Sequence, residues 1–269
     1  MDIVFSVFMA ATAYFFLSFG FVLQKKGIGW IGKNPGSDKD FYKNLAIWIT
    51  GFILMNIYGV PSAVALKVLQ PHIVASFAGW GIVVLVFFSN FFLKEKLNRS
   101  DYFYSMLIIA GIIFLTIFRD NSDQVQSVNS LSVIMFFLFP ILLFVAGFYG
   151  KKSHWIRTVL FATVSGCAAG AMVVALKFLV AGYDYRVREY FSSPYLYLYI
   201  FAALLSFIAL QFALKNGLMI TTGPVQYTSN IIYPVIGSYF VFNQYLNVIQ
   251  LFSIILIVMG VTKILKNRK

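Results

Sequence analysis

The chain is divided into apolar runs long enough to cross a membrane, and this constrains its fold more than any motif does. Nearly uninterrupted runs occupy about 2–23, 45–66, 71–93, 101–118, 131–149, 157–180, 194–214, 223–242 and 247–266. A helix needs roughly 20 apolar residues to cross the hydrocarbon core. Charged residues make up only 11% of the chain and apolar residues 60%, whereas soluble domains carry about 25% charged residues. Such a chain cannot cover a surface in water. The expectation is an all-α integral membrane protein with about nine transmembrane helices, short connections and no inserted soluble domain. The first run opens on Met1-Asp2 without a basic segment and exceeds a signal core, so it reads as a true span. Cys167 is the only cysteine, so no internal disulfide can form.

A net charge of +12 invites a nucleic-acid partner, but the basic residues sit at span ends and not on one face. They sort by side. Loops after alternate spans, with the C-terminal tail, hold 16 Lys and Arg, among them Lys25, Lys26, Lys94, Lys96, Lys151, Lys152 and Lys263. The other side holds 4: Lys67, Arg119, Arg186 and Arg188. The positive-inside rule places the rich side in the cytoplasm. This predicts a multi-pass protein of the cell membrane, N-terminus outside and C-terminus cytoplasmic, whose partner is the lipid bilayer.

The chain also repeats. At a shift of about 149 residues, Ile82, Ser89, Phe91, Leu97, Asn98, Phe103, Leu107, Ile108 and Gly111 fall on Ile231, Ser238, Phe240, Leu246, Asn247, Phe252, Leu256, Ile257 and Gly260. Ala65-Leu66-Lys67 resembles Ala213-Leu214-Lys215, and Leu23-Gln24-Lys25 resembles Ala175-Leu176-Lys177. Spans 1–4 then correspond to spans 6–9, with span 5 between. Four helices plus one connector is odd, so the second copy starts from the opposite face, as in inverted-repeat transporters. The units are 1–118, a linker 119–156 with its own helix, and 157–269. The charged turn Lys94-Glu95-Lys96-Leu97-Asn98 returns as the uncharged Asn243-Gln244-Tyr245-Leu246-Asn247, as opposite sides of the membrane require.

Every acid lies in a loop or at a span end. Intramembrane carboxylates are the usual proton relays and cation sites, so the core offers neutral polar groups instead. Gln226, Asn230 and Tyr233 fall on one helical face, in a span opened by Thr221-Thr222-Gly223-Pro224 and interrupted by Pro234. Ser76 and Trp80 belong to the equivalent span, and Asn56, Tyr58, Ser62 and Gln211 to spans 2 and 7. The candidate substrate contacts are Gln226, Asn230, Tyr233, Asn56, Trp80, Gln211 and Lys177. The plain alternative is that polar residues in membrane helices bond only to neighbouring helices, at about 0.6 kcal/mol each.

Lys177, the lone cation inside an apolar run, reads either as snorkelling to the interface or as contacting an anion. Gly166 and Gly170 have the spacing of close helix packing, internal first and a homodimer contact second. His72 and His154 lack ligand-spaced partners, so no metal site of that type and no cofactor is expected. Six tyrosines between Tyr183 and Tyr199 suit an interfacial belt. The segment 24–44 suits a loop on anionic headgroups.

The turn around Lys94–Asn98, the apolar helix before it and the Gly111 helix after it resemble the drug/metabolite transporter superfamily, which includes EamA-type proteins. The end of span 1 (Phe21 to Gly27), the same turn and Asn230-Ile231-Ile232-Tyr233-Pro234 resemble the NIPA-type magnesium transporter branch. The resemblance implies nine spans, an external N-terminus, magnesium as cargo and an acid inside span 2. At that position the chain reads Asn56-Ile57-Tyr58-Gly59-Val60, with Gly59 nearest. The expected function is transport of a small solute or ion by alternating access. The alternatives are NIPA-like magnesium transport and a non-transporting lipid-handling or assembly role. No HExxH or Gly-x-Ser-x-Gly motif suggests an enzyme.

Overall fold

A computed structural model describes residues 2–27, 40–93, 99–118, 130–149, 154–182, 187–216, 219–243 and 246–266. Their regular structure is helical throughout: α1 (Ile3–Gly27), α2 (Phe41–Ile57), α3 (Gly59–Leu66), α4 (Pro71–Ser76), α5 (Ala78–Leu93), α6 (Arg99–Ile117), α7 (Ser130–Tyr149), α8 (His154–Gly182), α9 (Val187–Tyr190), α10 (Pro194–Asn216), α11 (Met219–Phe242) and α12 (Val248–Lys266). Residues 94–98 of the charged turn, 28–39 of the headgroup loop, and Tyr183 and Tyr185 lie outside the described residues.

Among the described residues, six segments are long and apolar enough to cross a membrane: Ile3–Gly27, Phe41–Leu66, Pro71–Phe92, Leu131–Tyr149, Trp155–Ala181 and Pro194–Ala213. Tyr102–Ile117 and Val248–Lys263 are apolar but shorter. α11 is long but holds the polar run Gln226–Asn230.

Two spans expected to be regular throughout are locally interrupted, each at a residue that keeps right-handed backbone angles. Span 2 divides at Tyr58 into α2 and α3, just before Pro61, which has no N–H to return to Ile57. Span 3 divides at Phe77 into α4 and α5. In span 8 the outcome is the reverse. Pro234 was expected to interrupt it, yet α11 runs through. Gly170 of α8 packs against the proline ring; a methyl there would stand 2.7 Å from Pro234 Cδ.

Small residues set the helix contacts, as expected where lipid gives helices no hydrophobic reason to associate. α1 and α2 run antiparallel, with Gly20 and Gly51 face to face: a methyl on either would lie 2.6 Å from the other's carbonyl oxygen. Gly166 and Gly170 pack α8 closely against Gln226, Ser229, Tyr233 and Pro234 of the parallel α11, so the GxxxG spacing serves an internal contact.

α6 and α12 cross antiparallel. A methyl at Gly111 would meet Ile257 Cγ1 at 2.7 Å and the Ser253 carbonyl at 2.9 Å. A methyl at Gly260 would meet Ile108 Cγ1 at 2.6 Å and the Tyr104 carbonyl at 3.0 Å. Gly79 touches both Ile108 and Ile257, each 2.8 Å from its would-be methyl. The contact is reciprocal under the sequence repeat. Neighbours follow the same rule: α1 packs on α2, α3 and α5, and α8 packs on α10 and α11. α7 lies mainly against α8.

Candidate functional site

The centre is built where α1, the α2–α3 break, α5 and α11 meet. Tyr14 of α1 is fully buried. Its ring meets Tyr58 edge to face, with centroids 5.2 Å apart. The Tyr58 hydroxyl donates to the Tyr14 hydroxyl at 3.4 Å. Asn230 of α11, also buried, lies within interaction range of the same Tyr14 hydroxyl. One phenol thus joins the first half of the chain to the second.

Around this pair lies further oxygen. Ser18, one turn beyond Tyr14, sits beside Tyr227 of α11, and Ser62 sits beside Tyr58. Gly81 makes room for Ser18: a methyl there would stand 2.6 Å from Ser18 Oγ. Asn230 Oδ1 is buried without a hydrogen bond among the described residues, and Ser18 Oγ, Ser62 Oγ and Tyr227 OH are buried with only one another or Tyr58 as polar neighbours. Buried polar atoms are normally paired, and an unpaired one costs about 1–3 kcal/mol. In α1, α3 and α11 these oxygens leave the centre with spare hydrogen-bonding capacity. Among the described residues no three acidic, histidine or cysteine side chains converge.

The break at Tyr58 also positions Gly59. A methyl there would lie 2.9 Å from the hydroxyl of Tyr199 on α10. Where the family resemblance implies an acid, the chain has a glycine with a phenol hydroxyl against it.

The sequence candidates separate. Asn230 stands at the centre, and half-buried Trp80 packs on the same core. Tyr233 shares the helical face but turns to α7, stacking on Phe136 with centroids 4.3 Å apart and donating to the Phe136 carbonyl. Gln226 is half-buried in the α8–α11 contact. Asn56 and Gln211 are exposed on their helices, Asn56 Nδ2 donating to the Phe52 carbonyl at 2.7 Å. Lys177 does not snorkel: it is 8% exposed, and Nζ donates inward to the Leu66 carbonyl at 2.7 Å and the Leu69 carbonyl at 3.3 Å.

Sequence reasoning missed Tyr14, Ser18, Tyr199 and Tyr227. The spacing of Tyr14 with Ser18, and of Tyr227 with Asn230, was a usable signal. The tyrosine belt is also partly inward: Tyr197 is exposed, but Tyr195 stacks on Phe178 at 4.6 Å and Tyr199 reaches Gly59.

A profile of the family described as Magnesium transporter NIPA matches residues 1–268. No solved structure matches the chain.

Proposed function

We propose, from the premise that this chain belongs to the NIPA magnesium transporter family, that it carries magnesium as a hydrated ion through the Tyr14–Asn230 centre. That it is a membrane transporter follows from the family and the apolar helices together. The ion and its path are our reading. The observation that carries it is the cluster of incompletely bonded buried oxygens of Ser18, Ser62, Tyr227 and Asn230 beside Tyr14 and Tyr58. Magnesium dehydrates reluctantly and keeps several waters. Its hydration shell presents hydrogens outward, and hydroxyl and amide oxygens receive them. A carboxylate cage would suit a stripped ion; a cluster of neutral oxygens suits a wet one.

The centre is packed, so passage requires the two halves to part. We read 1–118 and 157–269 as inverted repeats joined by the α7 linker, with nine spans, an external N-terminus and a cytoplasmic C-terminus. Support comes from the reciprocal Gly111 and Gly260 contacts across the antiparallel α6 and α12, and from the matching neighbours of α1 and α8.

A second reading is a neutral polar metabolite. Gly59, closed by Tyr199, favours it, because the acid implied for magnesium is missing. Purified protein in liposomes loaded with a magnesium-sensitive dye separates the two. Magnesium uptake well above that of empty liposomes is the expected result. If magnesium stays out while a neutral polar solute exchanges, the second reading replaces the first.

A further inference from the structure

Span 2 is interrupted at Tyr58, and Gly59, the residue after it, has no side chain. A single side chain from the other half of the protein covers the notch this leaves. α3 packs on α1, α2, α4 and α8, while α10 packs on α7, α8 and α11. Among the described residues α3 and α10 share little main-chain contact, so they flank α8 with a cleft between them. Tyr199 of α10 reaches across it. Around a methyl placed on Gly59, the only described atoms of other elements within 4 Å belong to Tyr199: its hydroxyl at 2.9 Å and Cζ at 4.0 Å. Val60, next in the chain, is exposed. The notch therefore lies at the protein surface, and the phenol alone fills it.

Behind the notch lies the centre. Tyr58 is buried and within interaction range of Tyr199. Its hydroxyl donates to that of Tyr14, which has Asn230 in range. Three phenols thus lead in steps from the cleft to Asn230. The contact at Gly59 also differs in kind from those that fix helices. At Gly20 and Gly51 main chain meets main chain. At Gly59 the approaching atom is the far end of a side chain, which moves away by rotation about two torsions. Tyr195, one turn earlier on α10, stacks on Phe178 with centroids 4.6 Å apart, so α10 stays anchored when Tyr199 moves.

We infer that Tyr199 is the plug of an entrance between α3 and α10, and that cargo passes Gly59 when the phenol swings out. The inference rests on the reading of the Tyr14–Asn230 centre as the cargo site. Gly59 sets the width of the entrance, because any side chain there would take up the space the plug vacates. A plug of this kind keeps the centre closed to water until cargo arrives.

The plug is tested by cysteine accessibility in the full-length protein in nanodiscs, with Cys167→Ala removing the only native cysteine. Ser62 of α3, one turn beyond Tyr58, is fully buried. A Ser62→Cys reporter there reads the inner side of the entrance. Ser165 of α8 is fully buried against Ser206 of α10, and a separate Ser165→Cys reporter reads loosening of α10. A small thiosulfonate reagent is the probe. Tyr199→Ala should speed labelling of the Ser62→Cys protein roughly tenfold, because a half-buried ring is worth at least that factor to the closed form. Labelling of the Ser165→Cys protein should not change. Tyr199→Phe keeps the ring and should retain slow labelling at both positions. Should Tyr199→Ala fail to fold, Tyr199→Leu decides: it keeps apolar bulk on α10, is too short to reach Gly59, and should also speed labelling at position 62 alone. Unchanged labelling at position 62, or equal acceleration at both positions, overturns the plug. Magnesium flux of the unsubstituted protein in liposomes is read in parallel. Flux without a labelling change removes the plug and leaves transport standing. Faster labelling at position 62 alone, without any flux, retains the plug and removes the transport reading.

Discussion

Asn230→Ala is expected to cut magnesium flux into liposomes roughly five- to 150-fold while the protein stays assembled. The range follows from removing a polar contact worth about 1–3 kcal/mol when its partner is left buried and unsatisfied. Magnitudes separate the two roles open to this amide. If Asn230 only ties α11 to α1 through the Tyr14 hydroxyl, its loss resembles that of an average interhelical polar contact, about 0.6 kcal/mol. Flux then stays within roughly threefold. If its free Oδ1 receives the hydration shell of the cargo, the larger loss appears. Tyr58→Phe is the matched control. It deletes the 3.4 Å donation to Tyr14 and leaves the incompletely bonded oxygens in place, so its effect should be small. The measurement is initial rate per reconstituted protein, with size-exclusion profiles alongside. A full rate in Asn230→Ala would return this residue to a packing role.

Gly51→Val is expected to prevent recovery of monodisperse protein. The Gly51 and Gly20 carbonyls approach so closely that any Cβ on either helix would stand 2.6 Å from backbone oxygen. Backbone cannot swing aside as a side-chain end can. Overpacking by extra methylenes typically costs about 1–3 kcal/mol, and a branched residue adds two more carbons beyond that Cβ. The α1–α2 pair would have to separate along its length. Gly147→Ala provides the contrast. Its added methyl meets ring atoms of Phe161 at 2.9 and 3.0 Å, and a ring can shift by tenths of an ångström. Size exclusion and thermal unfolding of both variants check the pair: a lost peak for Gly51→Val, a modest shift for Gly147→Ala. A normal peak for Gly51→Val would mean that α1 and α2 are less closely packed than described.

Apolar run length and low charge were enough to read the helical membrane class, because lipid leaves a spanning backbone few choices. The positions of the breaks were less legible. Pro61 and Pro234 look alike in sequence, yet only the first lies beside a break. Gly170, 64 positions before Pro234 in the chain, leaves room for the Pro234 ring between α8 and α11. Asn230 was visible because an amide stands out in an apolar run. Tyr14 and Tyr227 were marked only by their spacing to Ser18 and Asn230, a weaker signal, since tyrosines serve cores and interfaces equally well. That Tyr14 meets Asn230 is a contact across 216 positions, which no local pattern encodes. Lys177 was conspicuous as a lone cation, but its partners are main-chain carbonyls and leave no trace in residue identity. Gln226, Asn230 and Tyr233 do share a helical face, but a face is wide enough to meet α1 on one edge and α7 on the other.

Two halves lying upside down around a neutral oxygen-lined centre are the core of this account. The most direct test is to place short tags within residues 94–98 and 244–245 separately, then probe each with an impermeant reagent in intact and in permeabilised cells. Labelling of the second tag in intact cells, and of the first only after permeabilisation, is the predicted outcome. Labelling of both tags from the same side would contradict it.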